Sequence, residues 1–231
     1  MCVLLLVAGQ GWTQAVDADK AKVTLALATE PPTLNSAVAT DTIASFILAH
    51  LMEGLLVYGP DGELAPGVAL RWQLDADGAH FWLREDARWS DGKPVTAHDF
   101  VFAWRHALNP KTASQYAFIF YPIKNAEAVN EGKLAPSELG VRAISDTELK
   151  VEFGSPCPYF LSLTAFMTFL PLREDVLAQW GGRYAADADK LTVNGPYLLT
   201  KWVHGAHLQL RKNPQYWHSA SVRINEIDMP Y

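Results

Sequence analysis

A chain of 231 residues, 49% apolar and 19% charged, has the make-up of a folded globular protein and not of a disordered or fibrous one. Its net charge of −6, with Lys and Arg scattered along it, excludes the basic stripe that tracks nucleic-acid phosphates. The first fifteen residues, MCVLLLVAGQGWTQA, read as the apolar part of a secretory signal with a small-residue cleavage site near Ala15. The alternative is a buried N-terminal strand. The run is far short of the ~20 apolar residues that span a bilayer, and no cysteine closes it where a lipid anchor would attach. Removing it takes Cys2 away and leaves Cys157 alone, so no internal disulfide is expected. A freely diffusing exported protein fits this pattern.

The elements follow in chain order. KVTLALAT (22–29) sets Val23, Leu25 and Leu27 on one side with period two, which predicts a strand. The loop EPPTLN is stiffened by its prolines. Ile43, Phe46, Ile47, Leu51 and Leu55 then recur at helical spacing, with Thr40 or Asp41 as the cap and Gly54 near the end. AHFWLRED (79–86) reads as a strand and WSDGKP as a turn in which Gly92 supplies a positive φ. Thr96 and Asp99 form a capping box for a helix that buries Phe100, Val101, Trp104, Ala107 and Leu108 and stops at Asn109-Pro110. GVRAISDTELKVEF (140–153) predicts a hairpin, and REDVLAQW (173–180) predicts a helix. YLLTKWV, HLQLRK and VRINEIDMPY predict three late strands. Strands, short helices and hairpins without a βαβ rhythm point to an α/β or α+β mixture.

Catalytic and metal motifs are not found. There is no G-x-G-x-x-G after a strand, no Walker loop, no G-x-S-x-G and no H-E-x-x-H. His98 and His106 lie two turns apart and His204 and His207 share a turn, with no carboxylate at ligand spacing, so no metal site and no cofactor are expected. Cys157 sits between prolines without a local base and reads as a structural thiol. Glu85, Asp86 and Asp91 are interleaved with Arg84 and Arg88, the pattern of solvated ion pairs and not of an acid–base dyad. Phe81, Trp89, Phe100 and Trp104 recur where a strand and a helix would meet, so the aromatic cluster reads as core. Tyr197, Trp202, Tyr216 and Trp217 are assigned to the core as well.

FWLREDARWSDGKPVTAHDFVFAW resembles the strand–turn–helix stretch of the family-5 extracellular solute-binding proteins. Within that family it is similar to the periplasmic oligopeptide-binding proteins of ABC importers. EGLLVYGPDGELAPGVALRW, NPKTASQYA, EGKLAPSELGVRAISDTELKVEF, PYFLSLTAF, TVNGPYLLTKWV and NPQYWHSASVRINEIDMPY follow in the family's order, covering nearly everything from about Thr24 to Tyr231.

The resemblance implies an α/β fold of the periplasmic binding protein type II, the two-lobed Venus-flytrap, with mixed β-sheets and the family's extra small α+β domain. Residues 22–52 and 193–231 would belong to a discontinuous first lobe, and 53–192 to the small domain. Residues 1–15 would be the signal remnant. Family members are about twice this length or more, so the second lobe is expected to be absent and the chain to be a truncated form. The resemblance further implies capture of extended oligopeptides in the periplasm, through main-chain hydrogen bonds and roomy hydrated pockets. Delivery would be to the membrane permease subunits of an ABC importer, with a monomer when full length and no catalysis. Thr40, Asp41 and Thr42 match the stretch beside the ligand backbone, and Tyr116 matches the family's ligand-facing tyrosine. Asp41 could instead merely cap its helix, and Tyr116 could be an ordinary half-buried tyrosine. The alternatives in function are a binder of dipeptides, murein peptides or another solute of the family, and a fragment that binds nothing.

Overall fold

The computed structural model describes residues 15–231. The apolar leader, apart from Ala15, lies outside the described residues, as does Cys2. Three sheets organise the rest. The first holds β1 (Val16–Asp17), β2 (Lys22–Thr24), β9 (Tyr197–Val203), β10 (His207–Lys212) and β11 (Glu226–Pro230), in the order β1-β2-β11-β10-β9. It is mixed: β2 runs parallel to β11, with Lys22 opposite Glu226, and every other pair is antiparallel. Only the first three residues of the predicted N-terminal strand are strand. From Leu25 on, the chain keeps two backbone bonds to the β11 side, from Leu25 N–H to Asp228 C=O and from Leu27 N–H to Pro230 C=O.

α1 (Thr42–Leu51) follows, packed by Ala44, Ile47, Leu48 and Leu51. It ends before Leu55 because Met52 leaves in an extended conformation, and Phe46, read as a core position, faces solvent at 41% exposure. β3 (Leu56–Tyr58) and β4 (Leu64–Pro66) make a small hairpin. β5 (Ala69–Asp75), β6 (Gly78–Leu83), β7 (Val141–Ser145) and β8 (Glu148–Glu152) form an antiparallel sheet in the order β5-β6-β8-β7. α2 (Ala97–Leu108) covers one face of it, with all five predicted apolar positions buried. Shorter helices α3 (Ala126–Asn130), α4 (Phe160–Leu163) and α5 (Glu174–Trp180) complete the layer.

The aromatic core forms around Trp104. Its indole N–H donates to the Phe169 carbonyl at 3.0 Å, and Phe100, Phe120, Phe160 and Phe169 surround it with centroids 5.1–6.5 Å away. These are the spacings of favourable edge-to-face contacts. The tight turn before α2 also has a role in the packing. Gly92 adopts φ +86, and the Asp99 carboxylate accepts from the Thr96 backbone N–H at 2.8 Å and the Trp89 indole at 3.2 Å. Asp99 thus caps α2 and satisfies a fully buried tryptophan with one carboxylate. Burial pushes its carboxyl above the ordinary carboxylate range.

Candidate functional site

α1 begins at the surface. The Asp41 carboxylate accepts from the Ala44 backbone N–H at 2.7 Å, an N-cap that uses one of the helix's four free donors. The amides of Thr42 and Ile43 lie in the same first turn, where an α-helix offers no carbonyl partner. Thr40 and Thr42 are exposed and Asp41 is half-buried. The aligned peptide dipoles of α1 give this end a partial positive charge, which suits a carbonyl or carboxylate partner.

Tyr116 comes to the same place from a distant part of the chain. Its hydroxyl donates to the Thr40 carbonyl in a long contact of 3.4 Å, across 76 residues of sequence. The ring stands edge-on against Phe166 at 5.2 Å and lies 6.2 Å from Phe118, which is 57% exposed. The fold therefore gathers Thr40, Asp41, Thr42 and Tyr116 at one surface, with Phe166 and Phe118 beside them. Those two phenylalanines were not singled out in the sequence. Their signal was the aromatic content of YAFIF and LTAF, which is indistinguishable from core until the fold is known.

Two further polar clusters depart from the sequence reading. Tyr216 and Trp217 are half-buried, not core, and both donate to Glu53, by the phenol at 2.5 Å and the indole at 2.7 Å. Glu53 itself is 4% exposed, and burial pushes its carboxyl above the ordinary range against the pull of those donors. The Asn194 side chain accepts from the Glu53 N–H at 3.0 Å and donates to the Glu53 carbonyl at 2.9 Å. Gly195 donates to the Leu51 carbonyl, and a Cβ there would lie 2.6 Å from the Leu51 backbone, so only glycine fits. Nor is Arg84 solvated. It is 8% exposed, bonds Asp86 and the Gly67 carbonyl, and lies over the Trp217 ring. Asp91 pairs with buried Arg173, which also holds Asp175.

The second cluster centres on Glu30. Its carboxylate accepts from the Trp202 indole at 2.8 Å and the Gly205 N–H at 2.8 Å, and it pairs with His204 at 2.6 Å. The other ring nitrogen of His204 meets Asp187 at 3.0 Å. Glu30 and then Asp187 raise the imidazole above its ordinary value. Trp202 is therefore a half-buried side chain packed against the core, with its indole N–H anchored to Glu30. Cys157 is buried, and burial pushes its thiol up.

A sequence model of the bacterial extracellular solute-binding proteins, family 5 Middle, matches residues 63–231. The chain belongs to the family-5 bacterial extracellular solute-binding proteins. Among the relatives of this solute-binding protein is the oligopeptide-binding protein OppA of Bacillus subtilis, 39% identical over 91% of this chain and 39% of the relative. Among solved structures, the substrate-binding domain of an oligopeptide ABC transporter from Bacillus anthracis superposes with a TM-score of 0.90 at 42% identity, over 92% of this chain and 42% of that one. Listeria monocytogenes OppA bound to peptide gives 0.89 at 34% identity, over 91% and 42%. This solute-binding protein thus spans about two fifths of the length of those relatives. Its sheets form part of a periplasmic binding protein fold with mixed sheets.

Proposed function

We propose that this chain contributes one wall of a peptide-binding cleft in the substrate-binding component of an ABC peptide importer. The observation that carries the reading is the meeting of the Tyr116 hydroxyl with the Thr40 carbonyl at the open first turn of α1. An extended guest presents carbonyls and amides at regular intervals. The Thr42 amide and the backbone beside it can pair with those groups whatever the guest's side chains are. Asp41 caps the helix with its side chain and leaves its backbone available, so the structural and the binding role coexist. Tyr116 adds a flat ring that stacks and a hydroxyl that bonds.

On this reading residues 22–52 and 193–231 belong to one lobe, which the Asn194–Glu53 bonds fasten to the unit of residues 53–192. The ligand is an oligopeptide, the partners are permease subunits, and the protein works outside the inner membrane, as a monomer when full length. Among the described residues no helix is long and apolar enough to cross a membrane.

Isothermal calorimetry with a pool of tri- to pentapeptides tests the reading, with the pool analysed by mass spectrometry afterwards. Heat of binding with every peptide intact is the expected result. Absence of binding at millimolar peptide would remove the reading, and new peptide N-termini would replace it with a hydrolase.

A further inference from the structure

Two short 3₁₀ turns from distant parts of the chain, Ala117–Phe120 and Met167–Phe169, are built alike. Each ends in a fully buried phenylalanine, and each is preceded by a half-buried aromatic: Tyr116 before the first and Phe166 before the second. Inside, Phe120 and Phe169 stack at 4.1 Å with their planes 24° apart, and the Trp104 indole N–H holds the Phe169 carbonyl at 3.0 Å. At the other end of the turns, Tyr116 and Phe166 stand perpendicular, with planes 88° apart and centroids 5.2 Å apart. The buried stack fixes the spacing of the two turns. That spacing sets the outer pair edge to face, a favoured geometry for aromatic rings.

We propose that Phe166 is a positioning residue of the peptide site, one that orders the Tyr116 ring and acts on a guest only through it. The inference rests on the peptide reading above and adds the group that holds its tyrosine in place. The hydroxyl contact to Thr40 does not suffice, since at 3.4 Å it lies beyond the usual O–H···O range. Phe118 is a poor buttress as well: it is 57% exposed, and its ring is tilted against Tyr116 at 6.2 Å. Phe166 packs against the apolar core, so it is in place before any guest arrives. A tyrosine left to rotate would have to be ordered on binding, and that ordering subtracts from affinity. A ring already held loses less, so a residue that never touches the guest strengthens its capture.

The test joins a spectroscopic measurement on the empty chain to a double-mutant cycle. Tyrosine rings are labelled with ¹³C, and the Tyr116 signal is assigned by its disappearance in Tyr116→Phe. Without peptide, Phe166→Leu is expected to remove the ring-current shift of Phe166 and move the Tyr116 signal towards that of a free tyrosine. Calorimetry then uses tri-, tetra- and pentaalanine as probes. Phe166→Leu is expected to weaken their binding about threefold, and Phe166→Tyr, which keeps the ring, to restore it. In a Tyr116→Ala background, Phe166→Leu is expected to cause no further loss, because the group it acts through is already gone. Phe166→Met, which keeps the bulk and removes the ring, serves as the second variant and is expected to behave as Phe166→Leu does.

A Tyr116 signal that stays put in both ring-removing variants refutes the role. So does a loss of affinity that persists in full when Tyr116 is already alanine, since Phe166 would then touch the guest itself. If both variants bind the peptides as the wild type does, the role is overturned while the peptide reading stands. If the wild type takes up none of the three peptides at millimolar concentration, the peptide reading falls and takes the role with it.

Discussion

Asn194 fastens two chain segments that are 141 residues apart, and its amide serves both the N–H and the carbonyl of Glu53. Removing it leaves two buried backbone groups unpaired, and each costs about 1–3 kcal/mol. Asn194→Ala should therefore lower stability by about 3 kcal/mol in urea unfolding; a loss below about 1 kcal/mol would mean that water replaces the amide. At the site, Tyr116→Ala should weaken peptide binding about tenfold by removing ring and hydroxyl together. Tyr116→Phe, which keeps the ring, should lose less. Calorimetry on folded variants decides it, and equal affinity in all three would take Tyr116 out of the site. These residues also mark how far sequence reading reaches. Asp41 is legible as a cap because its partner is three residues away. Glu53, Tyr216 and Trp217 are not legible, since nothing in NPQYW announces a carboxylate more than 160 residues earlier.

His204 ties three elements together: the β9–β10 turn, the proline loop at Glu30 and the loop at Asp187. The charged groups facing it are Glu30 and Asp187, with Lys190 bound to Asp187 from the far side. The raised imidazole value fixes the sign of the pH dependence. Its stabilising contribution is complete below the unfolded value of about 6.5 and is lost as pH rises through the higher folded value. The thermal stability of the wild type should therefore fall more than that of His204→Ala as the pH rises past about 6.5. Identical pH profiles would show that Glu30 is held by Trp202 and Gly205 alone. At this scale the elements built by short-range chemistry were readable. The Thr96–Asp99 box starts α2, and alternation in ELKVE gives β8. Boundaries shifted where a distant contact decides. α1 stops at Leu51, where the next residues turn out to meet Asn194 and Gly195, and the helical period of Leu55 cannot report that.

Across the whole molecule one continuous apolar cluster runs from Leu27 and Leu34 through Trp104 to Leu210 and Met229. The two larger sheets share it, and the Asn194–Glu53 bonds join the segments between them. A shared core predicts one cooperative transition. Tryptophan fluorescence and far-ultraviolet circular dichroism should give coincident urea curves, and two separated midpoints would show that the sheets unfold independently. The mixed architecture was readable from the order of hairpins and helices. The proposed site rests on the resemblance, because Thr40 and Tyr116 share no local pattern that would pair them, and their 3.4 Å contact is visible only in the fold. The parallel pairing of Lys22 with Glu226 bears on biogenesis as well. A ribosome releases β2 long before it makes β11, so the first strand emerges with one edge unmatched while the hairpins of β5–β8 can already close. β2 gains its partner on that edge only once β11 has been made.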